Sequence, residues 1–443
     1  MVYDPLISDF PSQQAWPNSY WSSTVDKPSR QISLKGTKQV DVAIVGGGYT
    51  GLLTAYYLAS LYNIDCCVLE ANQVGFGASG RNAGFVLKGS GRLGYQQMNQ
   101  KWGMEITKGI YREFSAAVDR VEQLIDTHSI DCDMQAKGYL KIAHNPKAYQ
   151  QLKAAASFIS THLGSDANFL TKDELSTNYM NNHQAYGALR LADGFGVNPL
   201  KLVMGYKAMV SQLGVAVYES SCVNEWITEN NQHRLLTDRG EIVAKQVISA
   251  GNAYTPKQFS SLVDNRFLPI LSNIIVTQPL SSSQLSDAGL STHQVTMDTR
   301  LLKYYYRLLP DNRLLFGGRG AISGKHSADP IHGERLKRAM CDSFPALSQI
   351  EIDYNWTGWI AAAIDDMPHV HNSAGAGYSL GYCGSGVAFS AQAAFRLAQS
   401  VAGTPLPNLP IYQNPLPRFP YARFRRLAQR AYYHYAWAKD RYF

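Results

Sequence analysis

Three glycines and one acid carry the first chemistry legible in the chain. In Gly46-x-Gly48-x-x-Gly51 each glycine has its own task. Gly46 permits a tight turn, Gly48 lets backbone N–H groups approach a pyrophosphate, and Gly51 allows a helix to pack closely on a strand. Tyr49 and Thr50 open that helix, whose N-terminus offers partial positive charge to phosphates. Glu70, followed by Ala71, stands 19 residues after Gly51, where a carboxylate accepts hydrogen bonds from ribose hydroxyls and argues against a 2′-phosphate. The pattern points to a bound dinucleotide. The alternative is a glycine turn without ligand, because the glycine spacing alone is weakly specific.

The chain turns glycine-rich again at once. Gly75, Gly77, Gly80 and Gly84 punctuate residues 72–85, with Ala78, Ser79, Arg81, Asn82, Ala83 and Phe85 among them. Small residues directly after the acidic position suit a cofactor longer than one mononucleotide-binding half can hold. Their backbone donors can serve phosphates and a flavin ring together. The alternative is a surface loop.

Residues 41–51, 68–71 and 75–85 resemble the FAD-binding start of the D-amino-acid-oxidase superfamily, and Gly-Ala-Ser-Gly-Arg-Asn-Ala-Gly at 77–84 resembles its gamma-glutamylputrescine oxidase branch. Further along, 193–199 resembles the return of the chain to the FAD domain, and Val223 the residue whose backbone meets adenine. Residues 247–253, with Ala250 and Gly251, resemble the strand and turn beside the pyrophosphate. Residues 304–307 and 314–318 resemble the substrate-domain hairpin. Residues 356–369 and 381–387, the latter with Gly384, Ser385, Gly386 and Val387, resemble the final flavin-contacting segments.

The resemblance implies an α/β (α+β), glutathione-reductase-like fold. A Rossmann-like FAD-binding domain would be assembled from 39–90, 193–255 and 350–405. A second, substrate domain built on a large antiparallel sheet would take 91–192 and 256–349, leaving an N-terminal arm, 1–38, and a basic aromatic tail, 406–443. It also implies oxidation of the C–N bond of a small amine by hydride transfer to flavin N5, hydrolysis of the imine, and reoxidation by oxygen to give hydrogen peroxide. Histidine-linked relatives carry the attaching His where Arg81 stands, and cysteine-linked relatives carry a Cys where 359–364 has none. The FAD is therefore expected to be noncovalent.

Hydride loss needs a neutral amine, so the pocket must be dry and favour loss of the ammonium proton. In α-amino-acid oxidases of this superfamily an Arg clamps the carboxylate where Ile360 stands here, which favours an amine substrate. Arg307 can supply a carboxylate contact or brace the sheet. Tyr304, Tyr306 and Trp359 can wall an amine pocket or simply pack. Asp365 and Asp366 read as turn residues before Pro368. His369 and His371 lack a third ligand, so no metal is expected. Competing readings are a dehydrogenase passing electrons to a quinone or carrier, and a non-catalytic flavoprotein or modification partner.

These residues need elements to hold them. The run 40–45 and the run 64–69 read as strands flanking a helix over 52–62, the β–turn–α–β context a dinucleotide requires. Helices are predicted over 105–129, 146–163, 199–214, 334–341, 387–401 and 421–443, and a capped start at 171–175. Short strands are predicted over 138–143, 215–218, 223–227 and 247–250, a hairpin over 304–309 and 314–317, and a glycine-punctuated turn over 378–386. Residues 1–38, with Phe10, Trp16, Tyr20 and Trp21, read as an extended arm packed on the body.

Composition frames the rest. With 45% hydrophobic and 17% charged residues among 443, the chain is globular, and no run is long enough to span a membrane. The start lacks a secretory pattern, and six Cys without a C-x-x-C argue against a disulfide scaffold or zinc ribbon, so a cytoplasmic setting is expected. Cys66 and Cys67 would point to opposite faces of one strand. The net charge of +7 is concentrated in the tail, which holds seven Lys/Arg against Asp440 alone from 418 onward. The body is near neutral and does not read as a nucleic-acid binder. The tail can lie on an anionic membrane or, as favoured here, dock on its own body.

Overall fold

The structure, a computed structural model, describes residues 3–8, 12, 14–26 and 32–442; Phe10 and Phe443 lie outside the described residues. Two eight-stranded sheets organise it. In the first, strand Gly36–Val45 pairs in parallel with Cys66–Leu69 on one side and Gly240–Ser249 on the other. Ala216–Tyr218 and Ala376–Leu380 extend it in parallel, with His369–Ser373 antiparallel at one edge. The register sets Val45 level with both Leu69 and Ser249. Three strand ends, followed by Gly46, Glu70 and Ala250, therefore open at one height. That is the crevice where parallel sheets bind ligands.

Helix Tyr49–Tyr62 returns along this sheet and packs on Phe389–Val401, burying Leu52, Ala55, Leu58, Ala391 and Ala394. Cys66 faces that core and Cys67 the opposite one, as alternation demands.

The second sheet runs, edge to edge, Ile352–Ala362, Leu268–Thr277, Leu314–Arg319, Tyr305–Leu308, Val295–Asp298, Tyr139–Ile142, Gly187–Leu191 and Ala167–Thr171. Only the Val295–Asp298 and Tyr139–Ile142 pair is parallel. One face carries Ile275, Tyr306, Leu314 and Phe316 against helix Ile331–Ser343; the other carries Ile274, Trp356 and Tyr305 toward the first sheet's core.

Most predicted elements stand where expected, and several differ. The 223–227 strand is shifted to Glu225–Glu229, since Val223 is buried under the crevice instead of pairing. The 247–250 run is the end of a ten-residue strand. The 378–386 turn begins later, because Tyr378 still pairs with Ser249 and His371. The long helix starts at Tyr95, ten residues early, across a kink at Gly103 with φ 80°. Of the tail, Ala422–Phe424 is one tight turn and Arg425–Tyr442 a helix. Among the described residues, no helix is long and apolar enough to cross a membrane.

Candidate flavin crevice and the sheet face above it

The crevice at the three strand ends encloses about 1220 Å³ including its open mouth. Gly46 holds φ +120°, and a Cβ there would lie 2.7 Å from the Ala250 carbonyl oxygen, so only glycine lets the two turns meet. Gly48 ends the turn and caps the helix with no side chain of its own; a Cβ on it would come within 2.7 Å of Ser79 Oγ. Ser79 Oγ accepts the Tyr49 N–H at 3.0 Å, which ties the second glycine-rich loop to the helix N-terminus. Glu70 accepts the N–H groups of Gly47 at 2.7 Å and Asn72 at 3.0 Å. Burial pushes its pKa up to about 7, against the pull of those backbone donors.

Of the residues predicted to touch the cofactor, Gly46, Gly48, Tyr49, Thr50, Glu70, Ala71, Gly77, Ala78, Ser79, Asn82, Val223, Ala250, Gly251, Gly384, Gly386 and Val387 line the crevice. Gly51, Arg81, Ala83, Gly84, Phe85 and Ser385 do not line it. Arg81 donates to Phe76 O and Thr357 O and lies over the Phe76 ring, fastening the loop to the second sheet. Ser385 Oγ donates to Gly89 O at 2.9 Å. The arm adds Trp21, whose indole N–H donates to Asn82 O at 2.8 Å. Sequence reasoning missed Asn252, Tyr254, Thr255 and Tyr382 in the lining. The first three follow Gly251 directly, and Tyr382 lies inside the 381–387 motif, so adjacency was the available signal.

The substrate-side expectations need correction. Tyr304 and Tyr306 share a face, and it is the far one. Tyr306 stacks on Phe316 and accepts a hydrogen bond from Asn182 at 2.6 Å, with Tyr304 tilted against the same Phe316. Tyr305 points toward the crevice side: its hydroxyl meets Ser272 Oγ at 2.7 Å, its ring meets Phe85 edge-on, and Gly317 opposite leaves room for it. Trp359 likewise turns away. Its indole N–H donates to Tyr3 O at 3.0 Å and Arg426 lies over its ring. Ile360, on the opposite face, lines the crevice, and a Cβ on Gly384 would sit 3.0 Å from its Cδ1.

Arg307 is a brace. It is 2% exposed and donates to Ala83 O at 3.1 Å, to Val197 O at 2.5 Å and to Gln135 Oε1. Burial without a carboxylate beside it pushes its pKa down to about 9, so the group stays charged at neutral pH. Its reach is spent on two backbone carbonyls beside the second glycine-rich loop and on the Gln135 side chain. Asp365 accepts from His369 Nε2 at 2.8 Å and from the Met367 N–H, a turn arrangement, and His369 Nδ1 meets Asn414 O. Cys383 sits buried in a left-handed turn with φ 55°, and burial pushes its thiol up to about 12.

The tail helix docks on the body. Arg425 donates to Phe267 O and Asn265 Oδ1, Arg426 pairs with Asp4 at 2.7 Å, and Asp440 accepts the N–H groups of Leu301 and Leu302. Beneath it, at the end of the second sheet, lies a second cavity of about 1470 Å³, open on one side.

Residues 41–400 match the family described as DAO, FAD dependent oxidoreductase. The chain is 31% identical over 410 residues to the gamma-glutamylputrescine oxidoreductase of Escherichia coli (strain K12), covering 90% of this chain and 93% of that one. In fold it is similar to the crystal structure of L-proline dehydrogenase from P. horikoshii, with TM-score 0.69 and 18% identity over 85% of this chain and 96% of that one. It is also similar to glycine oxidase from Bacillus cereus, with TM-score 0.65 and 18% identity over 82% and 95% of the two chains.

Proposed function

Since the chain belongs to the DAO family of FAD dependent oxidoreductases, we propose that it oxidises a C–N bond of a small amine. The observation that carries this reading is Ile360 in the crevice beside Gly384, in a lining that contains no lysine or arginine among the described residues. An α-amino acid entering there would lose the hydration of its carboxylate with no cation to replace it. An amine loses only a proton to the solvent and far less hydration.

The residues present fit FAD. The Gly46–Gly48 turn and the start of helix Tyr49–Tyr62 would hold the pyrophosphate, Glu70 the ribose, and Val223 the adenine end. Ser79, Asn82 and the 384–387 turn would meet the flavin end, the turn's N–H groups facing the charge that builds there. Attachment is noncovalent: Cys383 is buried and held as a thiol, and Arg81 is committed to the sheet. Bound FAD supplies the hydride acceptor, and the imine product hydrolyses in water to a carbonyl compound and an amine.

The chain's own part is exclusion and orientation. The face bearing Ile360, Gly358, Ser272 and Tyr305 meets the crevice at Ile360 and would help keep the amine dry and therefore more readily neutral. The Tyr305–Ser272 hydrogen bond fixes the phenol against that face. In this reading the first sheet and its loops are the FAD-binding part, the second sheet the substrate part, oxygen the final acceptor, and the cytoplasm the setting.

Anaerobic mixing with alkylamines, putrescine-like amines, glycine, sarcosine and D-alanine tests the proposal. Amines should bleach the flavin at least about tenfold faster than amino acids of matching side chain, roughly 1.4 kcal/mol in barrier. Equal or faster bleaching by an amino acid would overturn it. A second reading, a dehydrogenase working at a membrane, draws on the exposed Leu427, Tyr435 and Trp437 of the tail helix. Peroxide released on turnover in air excludes it.

A further inference from the structure

The tail helix buries one face and leaves the other bare. Arg425, Gln429 and Ala436 are its buried residues, and Tyr432, on the same side, accepts from Arg92 at 2.9 Å. At 3.6 residues per turn the opposite face runs through Leu427, Arg430, His434 and Arg441, with Tyr435 and Trp437 along its two flanks. All six are exposed.

Two properties set this face apart. The first is its apolar content. Among the described residues fourteen large apolar side chains are exposed, and six of them, Tyr421, Phe424, Leu427, Tyr435, Trp437 and Tyr442, belong to the tail. Such residues scattered singly need no account; gathered on one ridge they mark an interaction surface. The second property is charge. Arg423, Arg430, Lys439 and Arg441 are exposed, and none forms an ion pair among the described residues. Instead Arg423 lies over the Phe424 ring, Lys439 over Tyr435, and Arg441 over both Trp437 and Tyr442. Asp440, the one acid from residue 418 onward, is turned inward, where it accepts the N–H groups of Leu301 and Leu302. The helix thus shows the solvent cations and aromatic rings with no acid of its own to balance them.

We propose that this outer face binds the surface of an anionic lipid bilayer while the inner face stays docked on the protein. Phenol and indole rings have an apolar body and a polar tip, which suits them to headgroup level. Arginine and lysine lay their stems along apolar surface and carry their charge to the lipid phosphates. Adhesion of such a helix adds apolar burial to attraction for anionic lipid. Two other occupants fit less well. A second copy meeting the same face would set cations against cations. A nucleic-acid strand needs a groove to follow, and a helix docked by its inner face presents a ridge. Tyr421 and Phe424 also line the second cavity, so the open side of that cavity would lie beside the bilayer. The inference goes beyond the amine reading and depends neither on it nor on whether oxygen or a carrier takes the electrons.

The test uses the holoenzyme and lipid vesicles. At low salt the protein should sediment with vesicles of phosphatidylcholine and phosphatidylglycerol, and bind phosphatidylcholine alone at least about tenfold more weakly. Salt at about 1 M, where the Debye length is about 3 Å, should release most of it. Each cation near an anionic surface is worth about fivefold in affinity, so Arg430→Gln, Lys439→Gln and Arg441→Gln together should weaken binding roughly hundredfold. These side chains are exposed and outside the crevice lining, so flavin content and bleaching in solution should not change. Vesicles with brominated acyl chains should quench tryptophan emission, and Trp437→Phe should remove most of that quenching. This second variant reads the contact even where the triple substitution does not fold.

Absence of binding overturns the proposal, as does equal binding to neutral and anionic vesicles. So does anionic binding that the triple substitution leaves intact, or quenching that Trp437→Phe leaves unchanged. Dimerisation or single-stranded DNA binding through the same three cations, with no hold on vesicles, would also overturn it and give the face to another occupant.

Discussion

Arg307 offers the sharpest separation between a substrate ligand and a brace. Arg307→Met keeps most of the side-chain volume and removes every donor. It strands the Ala83 and Val197 carbonyls and Gln135 Oε1 in a site where the arginine is 2% exposed. Each stranded buried acceptor costs about 1–3 kcal/mol, which for the three gives roughly 3–9 kcal/mol. Removing a charge that burial disfavours returns part of that, so a net loss of about 4 kcal/mol is expected. With an unfolding entropy of about 2.1 cal/mol/K per residue, a chain of 443 residues loses roughly 1 °C per kcal/mol, so melting should fall by about 4 °C. Two of the stranded groups flank the second glycine-rich loop, so flavin should also leave earlier in the melt. Circular dichroism and flavin fluorescence, recorded together, measure both. Half-saturation for glycine and for alkylamines should shift by a common factor. An unchanged melt with selective loss of glycine binding would refute this reasoning and make Arg307 the carboxylate partner.

Five further outcomes are expected. Gly46→Ala forces an unfavourable φ and pushes a Cβ onto the Ala250 carbonyl, so it should yield flavin-free protein or none that folds, read by visible absorbance and yield. Acid precipitation of the wild type should leave yellow FAD in the supernatant; colour in the pellet would contradict noncovalent binding. Glu70 has its pKa raised by burial to about 7 and must be ionised to accept two ribose hydroxyls. At pH 6 only about a tenth is ionised, so FAD affinity should weaken about tenfold from pH 8 to pH 6, and the trend should vanish in Glu70→Gln, as titration of apoprotein measures. Tyr305→Phe should change the flavin spectrum or the rate of reduction. Tyr306→Phe should cost only about 1–3 kcal/mol of stability, by leaving Asn182 unpaired, with reduction kinetics unaltered.

The nucleotide end of the site was readable because its chemistry is local in sequence. Gly46, Gly48, Gly51 and Glu70 lie within one β–turn–α–β unit, and parallel pairing forces their strand ends into register. The second glycine-rich loop was legible as a unit, but not which of its members face inward. Arg81 and Phe85 stay out of the lining because Thr357 and Tyr305, far along the chain, claim them. The hairpin strands were placed correctly and their faces were not. Alternation separates Tyr305 from Tyr304 and Tyr306, but which side meets the crevice depends on how the whole second sheet lies over the first. Strands Leu268–Thr277 and Ile352–Ala362 escaped notice. Pro269 and Asn273 interrupt the first, and the second alternates too weakly, with glycine and alanines on both faces. Arg319 lines a cavity made by six separated parts of the chain and could not be found from spacing.

The contact between Asp4 and Arg426 joins residues 422 apart in sequence. Tyr3 O and Trp359, a similar span apart, lie beside it. These contacts close a very long loop of chain. The entropy cost of closure grows only with the logarithm of loop length, so it is little more than that of a short loop. An ordinary ion pair and hydrogen bond are thus enough to clasp the arm to the tail helix. Asp4→Asn should loosen both segments at once, though neither is near the other in sequence.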